Sequence, residues 1–108
     1  MNRIARAAEL GFVAQHLEDI RTVLEAGMGA DGLLLEETDL GPAFFDLRTG
    51  LLGELFQKLT NYRIRTALVV PDPARHGERF TELAREHRQH NLIRFCSSQD
   101  EALAWLER

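Results

Sequence analysis

One cysteine, Cys96, stands in 108 residues, so the chain cannot close a disulfide on itself. No apolar run approaches the roughly 20 residues that span a bilayer, which excludes a membrane helix. The opening Met1-Asn2-Arg3-Ile4-Ala5-Arg6 lacks the apolar core of a signal peptide. A cytoplasmic protein is the simplest reading of these absences. Excess positive charge is missing too. Lys and Arg number 13 against 17 Asp and Glu, a net charge of −4. Residues 1–60 hold 5 basic and 10 acidic groups, residues 61–108 hold 8 and 7, and no basic cluster forms. Affinity for nucleic acid comes mainly from phosphate neutralisation, so DNA and RNA are poor partners for this chain. Catalytic signatures are absent as well: no Gly-x-Ser-x-Gly, no P-loop and no dinucleotide fingerprint.

What is present is the composition of one soluble globular domain, 44% hydrophobic and 28% charged. The length allows one core, so residues 1–108 read as a single domain. The first 14 residues fit either a short helix or two short strands around Gly11, with strands preferred. From Leu17 to Ala26 the period is helical, with Leu17, Ile20, Val23 and Leu24 on one face. Gly27 and Gly29 end that helix. Leu33-Leu34-Leu35 reads as a buried strand, and Glu36 to Pro42 as a polar exit loop.

A second helix is expected from near Thr49 to near Asn61, with an apolar stripe of Leu51, Leu52, Leu55, Phe56 and Leu59. Gly53 lies inside it, where close packing against a neighbour would explain it. Ile64 to Val70 is apolar on both faces, which suits an interior strand covered by helices. A third helix spans Glu78 to Gln89, with Phe80, Leu83, Ala84 and His87 on one face. Leu92 to Cys96 is a further strand. Ser98-Gln99-Asp100-Glu101 is a capping-box pattern opening a last helix that buries Ala102, Leu103 and Leu106, with Trp105 beside them. This alternation predicts an α/β fold with a small, mainly parallel sheet.

The stretch Phe44 to Arg63 carries the most chemistry. A loop holding Asp46, Arg48, Thr49 and Gly50 runs directly into the second helix, whose outer face holds Glu54, Lys58 and, just beyond, Tyr62. Asp46 or Thr49 can cap the helix and Gly50 can turn the chain. Arg48 has no capping duty, so it favours recognition. These seven residues are the candidate binding surface.

Other candidates are weaker. Glu36, Glu37 and Asp39 lack the full oxygen set of a calcium loop and read as a solvated acidic turn. His87 and His90 are three apart on a helix, but no matching ligand pair exists elsewhere, and His16 and His76 are isolated. Neither a metal nor a cofactor is expected. Cys96 reads as a structural thiol.

The run Phe44-Phe45-Asp46-Leu47-Arg48-Thr49-Gly50, then Gly53-Glu54, Gln57-Lys58 and Asn61-Tyr62-Arg63, resembles the bacterial family called DUF4180. Looser similarity extends from about Leu17 to Leu106. The chain departs from that family at Val69-Val70-Pro71-Asp72, where Val-Gly-Asp is usual. It departs again at Glu86-His87-Arg88-Gln89-His90-Asn91, where Glu-Ser-Asn-Arg-Gly is usual. The layout is also similar to the SpoIIAA-like, or STAS-like, fold, whose members carry a Phe-x-Asp-Ser-Ser-Gly-Leu loop before a helix. In anti-anti-sigma members a serine in that loop is phosphorylated and controls binding to a kinase. Here Thr49 is the loop's only hydroxyl.

The resemblance implies a non-catalytic binding or regulatory domain acting through Asp46–Gly50 and the following helix. Its partner would be another protein or a small anionic ligand, with a homodimer as a further arrangement. The alternative is a small enzyme or ligand carrier with a pocket at the loop; an enzyme needs a concave site with a paired acid and base, and Asp46 or Glu54 desolvated beside His76, His87 or His90 would favour it. A purely structural subunit would instead show a large apolar dimer face.

Overall fold

A computed structural model describes residues 3–11 and 13–108. Strands β1 (Ile4–Arg6), β2 (Gly32–Glu36), β3 (Thr66–Val69) and β4 (Ile93–Cys96) form one sheet in that order, every pair parallel. Helices α1 (Ile20–Gly27), α3 (Leu51–Asn61) and α4 (Glu78–Glu86) connect successive strands, with a short α2 (Pro42–Phe45) ahead of α3. Helix α5 (Gln99–Leu106) follows β4. Each strand is added beside its predecessor, and parallel crossovers share one hand, so the connecting helices belong on one face. The packing agrees. Leu33, Leu35, Leu68, Ile93 and Phe95 share a core with Val23, Leu55 and Phe80 of those helices. The alternate residues Leu34, Ala67, Val69 and Cys96 point the other way and meet Ala102, Trp105 and Leu106 of α5. The expected α/β class, the parallel sheet and the interior position of β3 between β2 and β4 all hold.

Helix α3 enters β3 through a tight C-terminal turn. Arg63 N–H donates to Thr60 O at 3.1 Å and Ile64 N–H donates to Leu59 O at 2.9 Å. That pair of bonds is a Schellman motif, which needs a left-handed residue at its bend. Arg63 fills the place usually taken by glycine, at φ 53°. Burial of Leu59 and Ile64 on either side of the bend holds it there.

Helix α5 is fixed at both ends by side chains. Ser98 Oγ accepts from Glu101 N–H at 3.1 Å, as the capping pattern predicts. The Glu101 carboxylate takes the Ser97 hydroxyl at 2.9 Å. At the other end Arg65, on the face of the sheet that α5 covers, donates to Leu106 O at 3.1 Å and Trp105 O at 2.8 Å. A cation suits a helix C-terminus. The guanidinium of Arg65 lies 4.3 Å from the Trp105 ring centre and that of Arg94 lies 4.8 Å away. Trp105 is thereby buried, as part of the core rather than beside it.

Several expectations are revised. The N-terminus combines both readings: β1 is followed by a 3-10 turn at Ala7–Leu10, and Ala14 makes a single bridge to Leu40. Phe12, in the second expected strand, lies outside the described residues. The first helix starts at Ile20, not Leu17, because a 3-10 turn at Leu17–Asp19 breaks the 3.6-residue period. Leu17 is therefore 58% exposed instead of sharing the buried face. The third helix stops at Glu86, where His87 N–H already bonds Leu83 O and Ala84 O, so it falls short of Gln89. Gly53 is exposed, and a methyl group built on it meets nothing within 4 Å. Close packing does not explain this glycine.

Two substitutions in α3 test this account by denaturant melts. Gly53→Ala removes backbone entropy from the unfolded chain and adds no clash, so it should stabilise by about 0.5–1 kcal/mol. Leu55→Ala empties a fully buried position and should destabilise by about 2–5 kcal/mol.

Candidate functional site

The carboxyl ends of parallel strands are where open α/β sheets bind ligands. Here the loops after β2 and β3 meet at that edge around an open cleft of about 660 Å³. Phe45 and Phe80 form its apolar wall, and Asp46, Arg48, His76 and Arg79 line it with polar groups.

The Asp46–Gly50 loop is largely satisfied by its own groups. Asp46 accepts from the Arg48 backbone N–H at 3.1 Å. Its two carboxylate oxygens take Arg48 Nε and Nη2, each at 3.0 Å. The hydrogen bonds and charge of Arg48 hold the Asp46 carboxyl below its ordinary range and raise the guanidinium in turn. Even so, the Arg48 side chain remains 85% exposed. Thr49 Oγ1 lies 2.7 Å from Ala43 O and 2.9 Å from Asp46 O, and accepts from Leu51 N–H at 3.2 Å. Its hydroxyl thus ties the end of α2 to the start of α3. Gly50 adopts φ 76°, a left-handed turn that a side chain would strain. Arg48 presents a charge, while Thr49 and Gly50 shape the loop that carries it.

The seven candidate residues fall into two groups. Asp46 and Arg48 line the cleft, with Thr49 and Gly50 beside them in the loop. Glu54, Lys58 and Tyr62 line a separate groove between α1 and α3.

His76 lines the cleft and belongs to a pair that sequence reasoning missed. His76 Nε2 shares a short hydrogen bond with Glu37 Oε2, and Arg75 Nη1 lies 3.6 Å from Glu37 Oε1. Both side chains of the pair are largely buried, at 17% and 18% exposure. The His76 ring stacks on Phe45 at 4.3 Å and 15°, with Phe80 at 4.9 Å. His76 is therefore not isolated, and Glu37 is not a solvated loop residue. The missed signal is topological. Glu37 follows β2 directly, and His76 lies in the loop after β3, so neighbouring parallel strands bring both to one edge.

Asp39, His87 and His90 bond within the fold. Asp39 accepts from Glu36 N–H at 2.7 Å, and burial pushes its carboxyl up against that bond. His87 Nδ1 donates to Leu83 O, and its ring stacks against His90 at 5.0 Å. His90 Nδ1 accepts from Leu92 N–H and Ile93 N–H, each at 3.1 Å. Neutral His90 must then carry its proton on Nε2, which leaves no lone pair for a metal. Among the described residues no group of three or more His, Cys, Asp or Glu is placed to hold a metal. Burial pushes the Cys96 thiol up to about 11, with the Glu101 carboxylate adding to the shift. A buried thiol kept protonated is a poor nucleophile.

A parallel α/β domain with a polar cleft at its carboxyl edge is the class that this geometry defines. The family model described as Domain of unknown function (DUF4180) matches residues 3–106. The chain belongs to that family. No curated protein and no solved structure matches it. No helix among the described residues is long and apolar enough to cross a membrane.

Two measurements check the site. Asp46 should titrate below the ordinary carboxylate range in an NMR pH series and return toward it in Arg48→Ala. Its depressed value means that any stability it contributes is present at neutral pH and is lost as pH falls through the folded-state value. Cys96 should resist a thiol reagent at pH 8 in the folded protein and react readily once the chain is denatured.

Proposed function

We propose that this chain is a non-catalytic binding or regulatory domain of STAS-like, SpoIIAA-like fold, working in the bacterial cytoplasm. Its contact surface is the Asp46–Gly50 loop at the carboxyl edge of the sheet, and its partner is another protein. Four successive parallel β-α steps, with the loop placed before α3, support the fold assignment. The observation that carries the function is Arg48. Its side chain is 85% exposed, yet two bonds to Asp46 orient its guanidinium. A charge held in one direction loses less entropy on meeting a carboxylate than a free one.

The enzyme reading places its desolvated carboxylate at Asp46 or Glu54, and neither fits, although the largely buried Glu37 does bond His76. Asp46 is instead kept ionised by Arg48, and Glu54 lines the other groove. The second reading is a small anionic ligand in the cleft. Arg48 and Arg79 on its walls favour it.

Pull-down from the native host with the wild type and Arg48→Ala tests the leading reading. The variant should lose the partner while its melting midpoint stays at the wild-type value. A variant that keeps the partner refutes the assignment. One that melts as early as Leu55→Ala does too, because Arg48 would then serve folding.

A further inference from the structure

The groove between α1 and α3 lies outside the cleft and measures about 700 Å³. Of the five large hydrophobic residues exposed among those described, three line it: Leu17 at 58%, Met28 at 45% and Tyr62 at 58%. They continue a pattern that the core uses only in part. In sequence Leu17, Ile20, Leu24 and Met28 follow at spacings of three, four and four, but Leu17 stands on the 3-10 turn before α1 and Met28 just past its end. Ile20 and Leu24, in the middle, are buried by the chain itself, while both ends of the series stay bare. Met and Tyr are residue types enriched at protein interfaces.

Charges on the two banks identify the occupant. Arg21 and Glu25 lie four apart on α1, positive then negative. Glu54 and Lys58 lie four apart on α3, negative then positive. Glu18 adds one more negative charge at the entry to α1. None of these groups makes an ion pair among the described residues. Both helices are crossovers between parallel strands, so they run the same way. A partner of one sign would find a match and a clash on each bank. A surface carrying the same two rows in the complementary order would match both, and the chain itself has that surface.

We infer that the α1–α3 groove is a homodimer interface with its two-fold axis along the helices. Arg21 then faces Glu54 of the second copy, and Glu25 faces Lys58. Leu17 at one end of the groove, and Met28 and Tyr62 at the other, meet their equivalents across the axis, where both copies present the same patch.

Sedimentation equilibrium from micromolar to sub-millimolar protein tests this. The wild type should be a concentration-dependent dimer. Met28→Asp and Tyr62→Asp should each weaken it by about tenfold or more, while melting like the wild type at concentrations dilute enough for both to be monomers, since both positions are exposed. Lys58→Glu should weaken the dimer, and adding Glu25→Lys to the same chain should restore it. A wild type that stays monomeric throughout overturns the inference, as does a dimer indifferent to Met28→Asp and Tyr62→Asp. Failure of the double charge exchange to restore association overturns it too. So does a monomer that instead captures a different protein through these residues. Arg48→Ala should leave the dimer intact, which separates this interface from the loop.

Discussion

Burial of β2 and β3 on both faces is the constraint from which the rest of the structure follows. Leu33, Leu34, Leu35, Ala67 and Leu68 are each at most 1% exposed. Water must therefore be kept from both sides of a sheet only four strands wide. Sequential strand order places α1, α3 and α4 on one side, and α5 alone must close the other. One eight-residue helix is a thin cover. It suffices because it is held at both ends, by Ser98 and by Arg65, and because Trp105 fills the remaining width between two guanidinium groups.

The carboxyl edge obeys a different rule. Its polar side chains are paired locally, so the cleft is built without buried, unpartnered side-chain groups among the described residues. Glu37 and His76 brace the exits of β2 and β3 against each other, 39 positions apart in sequence. Phe45 links that brace to the Asp46–Gly50 loop, since it stacks on His76 and immediately precedes Asp46. Loop orientation is thus tied to the sheet through an aromatic contact, not through the backbone alone.

Much of the fold was legible in the sequence because its signals are local. The apolar stripe of α3, the run Ile64 to Val70 and the cap at Ser98 each declare themselves within a dozen residues. What escaped depends on partners distant in the chain or on short-range geometry that outweighs periodicity. Leu17 has the spacing of a core residue, but a 3-10 turn rotates it outward. Gly53 looked like a packing glycine and meets nothing. In the candidate site, the loop and Arg48 were readable as a polar segment before a helix. The division of the seven residues between cleft and groove was not, because it depends on where α1 and α4 lie relative to α3.

Among the described residues the sheet ends on β1, with three residues, and on β4, with four. Strands so short expose too few unpaired backbone groups to template another chain, which protects the fold against edge-to-edge aggregation. The same shortness closes a route of recognition, since a peptide added as a fifth strand would gain only a few ladder bonds. Helix side chains and loops therefore offer the larger surface for recognition. Specificity then resides in residues that can be exchanged one at a time without disturbing the sheet beneath them.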